Sequence, residues 1–466
     1  MVSVPRRRLA WFTPLSPRRS GVSDYSEELL PHLGELADID VVVGDYTPAA
    51  DALGDRFPIL DVAEFRRRAS EYDATIYQVA NNFPDHGYML PALVEHPGIV
   101  VLHDYCLQYL MLGATLLRGD LEALREVLRP VYGERASQLA RGLLLGRVDP
   151  LELSFAGPLV DLARGLLVHS HLAANCVRKD RPDAAVATIA MPVPGDSLEP
   201  PAELRARYGL ADDDFLLASA GSLAYTKRLD LVLAALPSLL PRFPRLKLLV
   251  LGGGPLGSRA RRFARHAGIE AAVVQTGWVS ARAYRDLIRV SDVVVDLRHP
   301  SSAETSASLS RAMAAGRPLI VSAQGTFVEL PDAGCARLPV DGRETDALIR
   351  MLGELIPDAK RRRAMGRACH DYAREHASLE GAARGYLAFV EEVITSRAQP
   401  RCVGAPWLAS HGSALGRGGI AALFALSRLR DLQRRYGLAD TLSRLGAEAN
   451  RRFRLGASSG AGGDAA

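Results

Sequence analysis

Cysteine is scarce in this chain of 466 residues, and what there is forms no pattern. Cys106, Cys176, Cys335, Cys369 and Cys402 are scattered, odd in number and never spaced as CxxC. That argues against a disulfide framework or a zinc site and fits reduced thiols in a cytoplasmic protein. Net charge is small as well: 57 Lys and Arg stand against 53 Asp and Glu, leaving +4. No nucleic-acid partner is expected from that balance. Long apolar runs are absent, since no stretch approaches the roughly 18 uninterrupted residues of a spanning helix. The basic N-terminus, "MVSVPRRRLAWFTPLSP", lacks an apolar run before its prolines, so no signal peptide is expected. What remains, 48% hydrophobic and 24% charged, is an ordinary globular composition.

Within it, short apolar runs alternate with helical patterns. "RLAWFT" (8–13), "IDVVV" (39–43), "ATIYQVA" (74–80), "GIVVLHD" (98–104) and "GLLVHS" (165–170) read as buried strands. "SEELLPHLGEL" (26–36) reads as a helix, and "LREVLRPVYGERASQLARGLLL" (124–145) as one long helix in an insert. The proline-rich "MPVPGDSLEPPAEL" (191–204) reads as a linker. A second series follows: "FLLASAGS" (215–222), "LKLLVLGGG" (246–254), "AVVQTGW" (272–278), "DVVVDLR" (292–298), "RPLIVSA" (317–323) and "ARLPV" (336–340). Strands alternating with helices imply parallel sheets covered on both faces. The expected fold class is therefore α/β, two doubly wound Rossmann-like domains facing a central cleft, with ligand at the strand C-termini. The expected boundaries are 1–190 for the first domain, with a helical insert near 110–160, 191–203 for the linker, 204–396 for the second domain, and 397–466 for a basic helical extension and tail.

In that extension Leu423, Leu426, Leu429, Leu432 and Tyr436 recur at near-helical spacing among arginines. Two readings stand: a helix packed on the body, or a basic amphipathic helix over 418–455 lying on an anionic membrane.

The chemistry-bearing residues concentrate in the second series. "GSLAYTKRLDLVL" (221–233) leaves a strand, turns, and enters a helix with Lys227 and Arg228 at its start. Cations beside free N–H groups and a positive dipole end suit a diphosphate. Gly253 in "VLGGGP" (250–255) frees backbone at the next strand end. In "HPSSAETSASLSRAMAAGRPLIVS" (299–322), Thr305, Ser306 and Ser308 open a helix and suit phosphate. Glu304 at the same junction is suited to sugar hydroxyls.

The Lys227 turn, "GGGP", "TGWV" (276–279) and "E-x-S…RAMAAGRPLIVS" resemble retaining glycosyltransferases of family 4, which have the GT-B fold. "TPLSPRRSGVSDYSEELLPHL" (13–33) and "HPGIVVLHD" (96–104) resemble the N-terminal half of that family, so the resemblance spans about 8–395. It implies a nucleoside diphosphate sugar donor, a glycan, lipid-linked or secondary-metabolite acceptor, and no cofactor or obligatory metal. It implies that Lys227 binds the diphosphate, that Glu304 with the N–H groups of Thr305 and Ser306 faces the sugar and distal phosphate, and that His103 sits near the anomeric carbon. Asp104 can orient His103, and His86 and His169 are weaker candidates. Gly21 lets the first loop approach the phosphates, and Trp278 and Val279 lie near the base.

Three positions depart from the family pattern. Arg311 stands where a second glutamate usually binds the ribose diol, and arginine has no acceptor. The first glutamate aligns with Ala303, one residue before Glu304. Ser222 stands where an arginine is common, with Arg228 as the candidate to compensate. A donor carrying deoxyribose is one expectation from Arg311. A non-catalytic partner protein and a sugar-nucleotide epimerase of the same fold are the alternatives.

Overall fold

In a computed structural model of the chain, the described residues are 6–195, 203–221, 223–254, 256–402, 404–409 and 414–436. They form two parallel sheets. The first has seven strands in the order β3-β2-β1-β4-β5-β6-β7. These are β1 (Arg8–Phe12), β2 (Asp38–Val42), β3 (Ile59–Leu60), β4 (Ala74–Val79), β5 (Ile99–Leu102), β6 (Gly165–Val168) and β7 (Val186–Thr188). The second has six, in the order β10-β9-β8-β11-β12-β13. They are β8 (Phe215–Ala220), β9 (Leu246–Leu251), β10 (Val273–Gly277), β11 (Val293–Asp296), β12 (Leu319–Ser322) and β13 (Cys335–Leu338).

The continuous apolar runs follow from burial on both faces. In β1, Ala10 and Phe12 join the core beneath the helical insert, while Leu9 and Trp11 face the opposite core. In β9, Leu246, Leu248 and Val250 face one core and Leu249 and Leu251 the other. A period of two with both faces covered needs no polar alternation.

The insert differs from the expected single helix. It breaks into Leu121–Tyr132 and Ala136–Leu144 at Gly133, whose φ of 54° and ψ of −130° lie outside the helical region. Glycine adopts such a conformation without a Cβ penalty.

The helix Leu379–Thr395 also departs from the expected boundary, which put it with the second domain. It packs on the first sheet: Tyr386, Phe389 and Val393 share a core with Leu9, Trp11 and Leu29. The Tyr386 ring centroid lies 5.3 Å from that of Trp11, and its hydroxyl is 2.6 Å from that of Tyr25. Burying these rings outweighs sequence proximity to the second sheet. The chain therefore crosses between lobes twice, and the crossings touch: Val193 N–H donates to Ala377 O at 3.0 Å.

The helix Ala414–Tyr436 covers the insert, with Phe424 in its core and Ile420 packed against it. The leucine stripe read from the sequence is not the packed face, since Leu423 and Leu426 point outward. The remainder of 418–455 beyond Tyr436 lies outside the described residues. No described helix is long and apolar enough to cross a membrane.

Candidate active site

Strand β8 ends at Ala220, and Gly221 after it, with a φ of 115°, turns the chain sharply. A Cβ there would come within 3.2 Å of Nζ of Lys227 and 3.3 Å of Oγ of Ser308. The turn, the ammonium and the first turn of the helix Ala307–Ala314 thus converge on one spot. Ser306 caps that helix, accepting from Leu309 N–H at 3.4 Å, and its hydroxyl also donates to Asp296. Ser308 accepts from the hydroxyl of Tyr284 at 2.6 Å. A helix N-terminus with a cation beside it is suited to an anion.

Lys227 is not an isolated charge. Its Nζ lies 3.3 Å from Oδ1 of Asp296, at the end of β11. Burial and the neighbouring Arg298 guanidinium pull its pKa down to about 8, against the pull of Asp296 and Glu304. Arg298 binds Glu304 at 2.7 Å through Nη1 and stands 3.4 Å from Asp296. Glu304 Oε2 accepts from the N–H of Ser302 at 2.6 Å and from its hydroxyl at 2.7 Å. Burial raises the Glu304 carboxyl, but Arg298 and Ser302 outweigh it and hold the pKa below the ordinary value. Both Glu304 oxygens are thus engaged internally: Oε2 accepts twice, and Oε1, which accepts once, keeps acceptor capacity for a sugar hydroxyl.

From the first lobe, β5 delivers His103 and Asp104. His103 is buried, and its Nε2–H donates to Oε1 of Gln78 at 2.8 Å, leaving Nδ1 as the acceptor. Its ring packs edge-on to Tyr25, with centroids 4.8 Å apart, and lies 5.0 Å from that of His169. Burial, with His169 and His86 nearby, holds its pKa well below the ordinary value. His86 and His169 are likewise lowered, each to about 4 by burial. Their Nδ1–H groups bond the carbonyls of Gln78 and Ile189. Asp104 accepts from Asn81 N–H at 2.9 Å rather than orienting His103. Burial, then the charge of Glu304, raises its carboxyl to about 6 against Asn81, Arg298 and Lys227.

The lobes meet closely. Cys106 N–H donates to Ser302 O at 3.2 Å. Glu329 accepts from the N–H groups of His171 and Leu172, at 2.8 and 2.6 Å, at the start of the helix His171–Asp180. A small cavity of about 70 Å³ lies between them, lined by His169 and Ser170 on one side and Thr305, Ser306 and Phe327 on the other. Lys227 and Glu304 do not line it.

The other expected residues fall as follows. Arg228 does not join Lys227: it sits at φ 49°, and its guanidinium turns to Asp230 at 3.5 Å and Glu344 at 3.9 Å. The second cation of the site is Arg298 instead. Gly21 opens the helix Gly21–Leu33, and a Cβ on it would meet nothing within 4 Å. Gly253 runs beside Trp278, whose backbone N would be 3.7 Å from an added Cβ. Trp278 is exposed and half-buried Val279 follows it. Arg19 of the first lobe lies over the Trp278 ring, 5.5 Å from its centroid. Ser222 lies outside the described residues.

Sequence reasoning passed over Asp296, Arg298, Gln78 and Glu28. A signal was present for the first two, an acid and a base two apart at the end of an apolar strand. Arg311 is buried, and its Nη2 lies 3.1 Å from both oxygens of Glu28 and 3.8 Å from Asp24. Arg285 adds a contact to Glu28 at 3.3 Å.

Residues 202–371, which hold the Lys227 turn and the helix at Ser306, match the family of glycosyl transferases group 1. Two curated proteins are similar over part of their length. One is the GDP-mannose-dependent alpha-(1-6)-phosphatidylinositol monomannoside mannosyltransferase of Mycolicibacterium smegmatis, 29% identical over 180 residues, or 38% of this chain and 47% of that protein. The other is the D-inositol 3-phosphate glycosyltransferase of Stackebrandtia nassauensis, 31% identical over 191 residues, or 39% of this chain and 41% of that protein. The chain spans less than half the length of these relatives. Among solved structures, Anabaena Alr3699/HepE in complex with UDP and glucose superposes with a TM-score of 0.58 at 15% identity, covering 84% of this chain and 100% of that one. Sucrose-phosphate synthase (tll1590) from Thermosynechococcus elongatus does so at 0.57 and 16%, with the same coverage. These likenesses show the GT-B fold.

Proposed function

We propose that this chain is a glycosyltransferase that moves a sugar from a nucleoside diphosphate sugar to a hydroxyl of a glycan, lipid-linked or secondary-metabolite acceptor. The observation that carries the reading is the convergence of Gly221, Lys227 and the helix start at Ser308 on one spot, within a region matched by group 1 glycosyl transferases and close enough to the first lobe for its charges to act on Asp104. In this reading the donor diphosphate lies against the helix N-terminus and the Lys227 ammonium. The bond from the anomeric carbon to the diphosphate oxygen breaks, and the acceptor hydroxyl oxygen bonds to that carbon. The hydroxyl proton passes to the departing diphosphate. Negative charge grows on the leaving group, where Lys227 and the amide dipoles stabilise it. Glu304, steadied by Arg298 and Ser302, accepts from sugar hydroxyls. His103 presents a neutral Nδ1 acceptor. Attack from the face the diphosphate leaves gives retention, as the family resemblance implies. Lobe closure excludes the water that would hydrolyse the donor. The unpaired thiols fit a cytoplasmic setting.

A panel of nucleotide sugars screened by thermal shift tests the reading first. A matched donor raises the melting temperature by mass action, and product analysis with acceptor then separates transfer from epimerisation. A panel in which no donor shifts melting or is turned over would overturn it.

One observation favours a narrower donor class. With Arg311 turned to Glu28, no carboxylate stands at the position that usually binds the ribose diol, which favours deoxyribose donors such as dTDP-sugars. Competition among dTDP-, UDP- and GDP-sugars decides this: undiminished use of the ribose donors counts against it.

A further inference from the structure

The helix Ala414–Tyr436 is already fixed to the body by one face. Phe424 and Ser427 are buried against the insert and Ile420 packs beside them. The approach is close: a Cβ on Gly119 would strike the carbonyl of Arg417, and one on Gly146 would lie 3.4 Å from Cβ of Ser427. The opposite face is where charge normally meets water. Here the exposed positions from 418 to 426 are Gly418, Gly419, Ala422, Leu423, Ala425 and Leu426, without one polar side chain. Leu423 and Leu426 are 50% and 54% exposed. The insert adds Leu117 and Leu145, 43% and 48% exposed, each within two residues of a glycine that the helix approaches. Large apolar side chains are seldom exposed in this protein, and these four gather on one helix and the segments it covers. Such a grouping marks an interaction surface.

We propose that this face docks on an anionic phospholipid bilayer. Charge selects that partner. Residues 414–436 contain five arginines and a single acid, Asp431. The adjoining segments expose Arg118, Arg141 and Arg147. An apolar strip a few side chains wide, flanked by cations, matches a helix lying in the plane of the headgroups, with leucines among the acyl chains and guanidinium groups on phosphates. A second copy of the chain would need acidic side chains to meet these arginines, which the exposed positions of this face lack.

The inference stands apart from the sugar-transfer reading, because vesicle binding is measured without any donor. The full chain is floated with vesicles of phosphatidylcholine alone and of phosphatidylcholine mixed with phosphatidylglycerol. Binding is expected to the mixed vesicles only, weakening as salt is raised. L423S/L426S should weaken it by about tenfold or more with the melting temperature unchanged, because those side chains touch no core. Absence of binding to the anionic vesicles overturns the proposal. So does binding that L423S/L426S leaves undiminished, which would assign lipid contact to other residues such as 437–466. A dimer in light scattering that L423S/L426S dissolves, without flotation of the parent chain, makes the face a self-interface and overturns it too.

Discussion

Arg311 Nη2 lies 3.1 Å from each carboxylate oxygen of Glu28, joining the second lobe to the first through a buried ion pair. The two residues are 283 positions apart in sequence. Removing one partner leaves a buried charge uncompensated, which costs about 3–5 kcal/mol. Glu28→Ala should therefore lower the melting temperature by several degrees, at the small end of that range because Asp24 remains near Arg311. Arg311→Met combined with Glu28→Leu should restore most of the loss. Thermal unfolding of the parent and the two variants checks this, and an unchanged E28A would deny the pair its role.

The same pair responds to acid. Burial outweighs Arg311 and holds the Glu28 carboxyl above its ordinary value. A raised carboxyl favours the protonated form, so its contribution to stability is greatest below the ordinary carboxylate value and is lost as pH rises through the raised one. By the same linkage a proton on Glu28 favours the buried arrangement, so closure of the lobes should strengthen on acidification and weaken as pH rises through the raised value. Small-angle scattering against pH would show the parent more open above that range than below it, and no such step in Glu28→Gln.

Donor binding should fall in two steps as pH rises. Asp104, at about 6, gains a negative charge in the first step, near the place proposed for the diphosphate. Lys227, at about 8, loses its positive charge in the second. Titration calorimetry should show Asp104→Asn removing the lower step. Lys227→Ala should remove the upper step and cost roughly 2.7–4 kcal/mol of transition-state stabilisation. For folding the signs differ. Stability from Asp104 is present below the ordinary carboxylate value and lost as pH rises through about 6. Stability from Lys227 is present above the ordinary lysine value and lost as pH falls through about 8.

Glu304 and Arg298 should separate by readout. Glu304→Gln keeps Arg298 paired with Asp296, so the fold should survive while turnover drops about a hundredfold or more. Arg298→Ala strips a cation from two buried carboxylates, so the melting temperature should fall as well. A Glu304→Gln variant with normal turnover would remove Glu304 from the sugar site.

How much of this was legible depends on range. The inner strands show in the sequence because burial on both faces leaves unbroken apolar runs, as in "RLAWF" and "LKLLVL". The edge strands Ile59–Leu60 and Val186–Thr188 are too short to announce themselves. Gly133 breaks a pattern that otherwise reads as one helix. Lys227 and Glu304 stand out through family motifs, whereas Arg298 read only as the last residue of the strand "DVVVDLR" and Arg228 looked like a phosphate ligand beside Lys227, although its guanidinium turns to Asp230 and Glu344. Long-range pairings such as Glu28 with Arg311 leave no local trace, because nothing in either helix specifies the other.

The paired chain crossings at Val193 and Ala377 have a consequence for motion. Two strands of polypeptide leaving side by side and bonded to each other act as a pivot with a fixed axis, not a flexible leash. The lobes can swing like a gate about that line, but sliding past one another or drifting apart would shear the bond between the crossings. A fragment ending at the first crossing would also lack Tyr386 and Phe389, leaving the Trp11 side of its sheet bare to water.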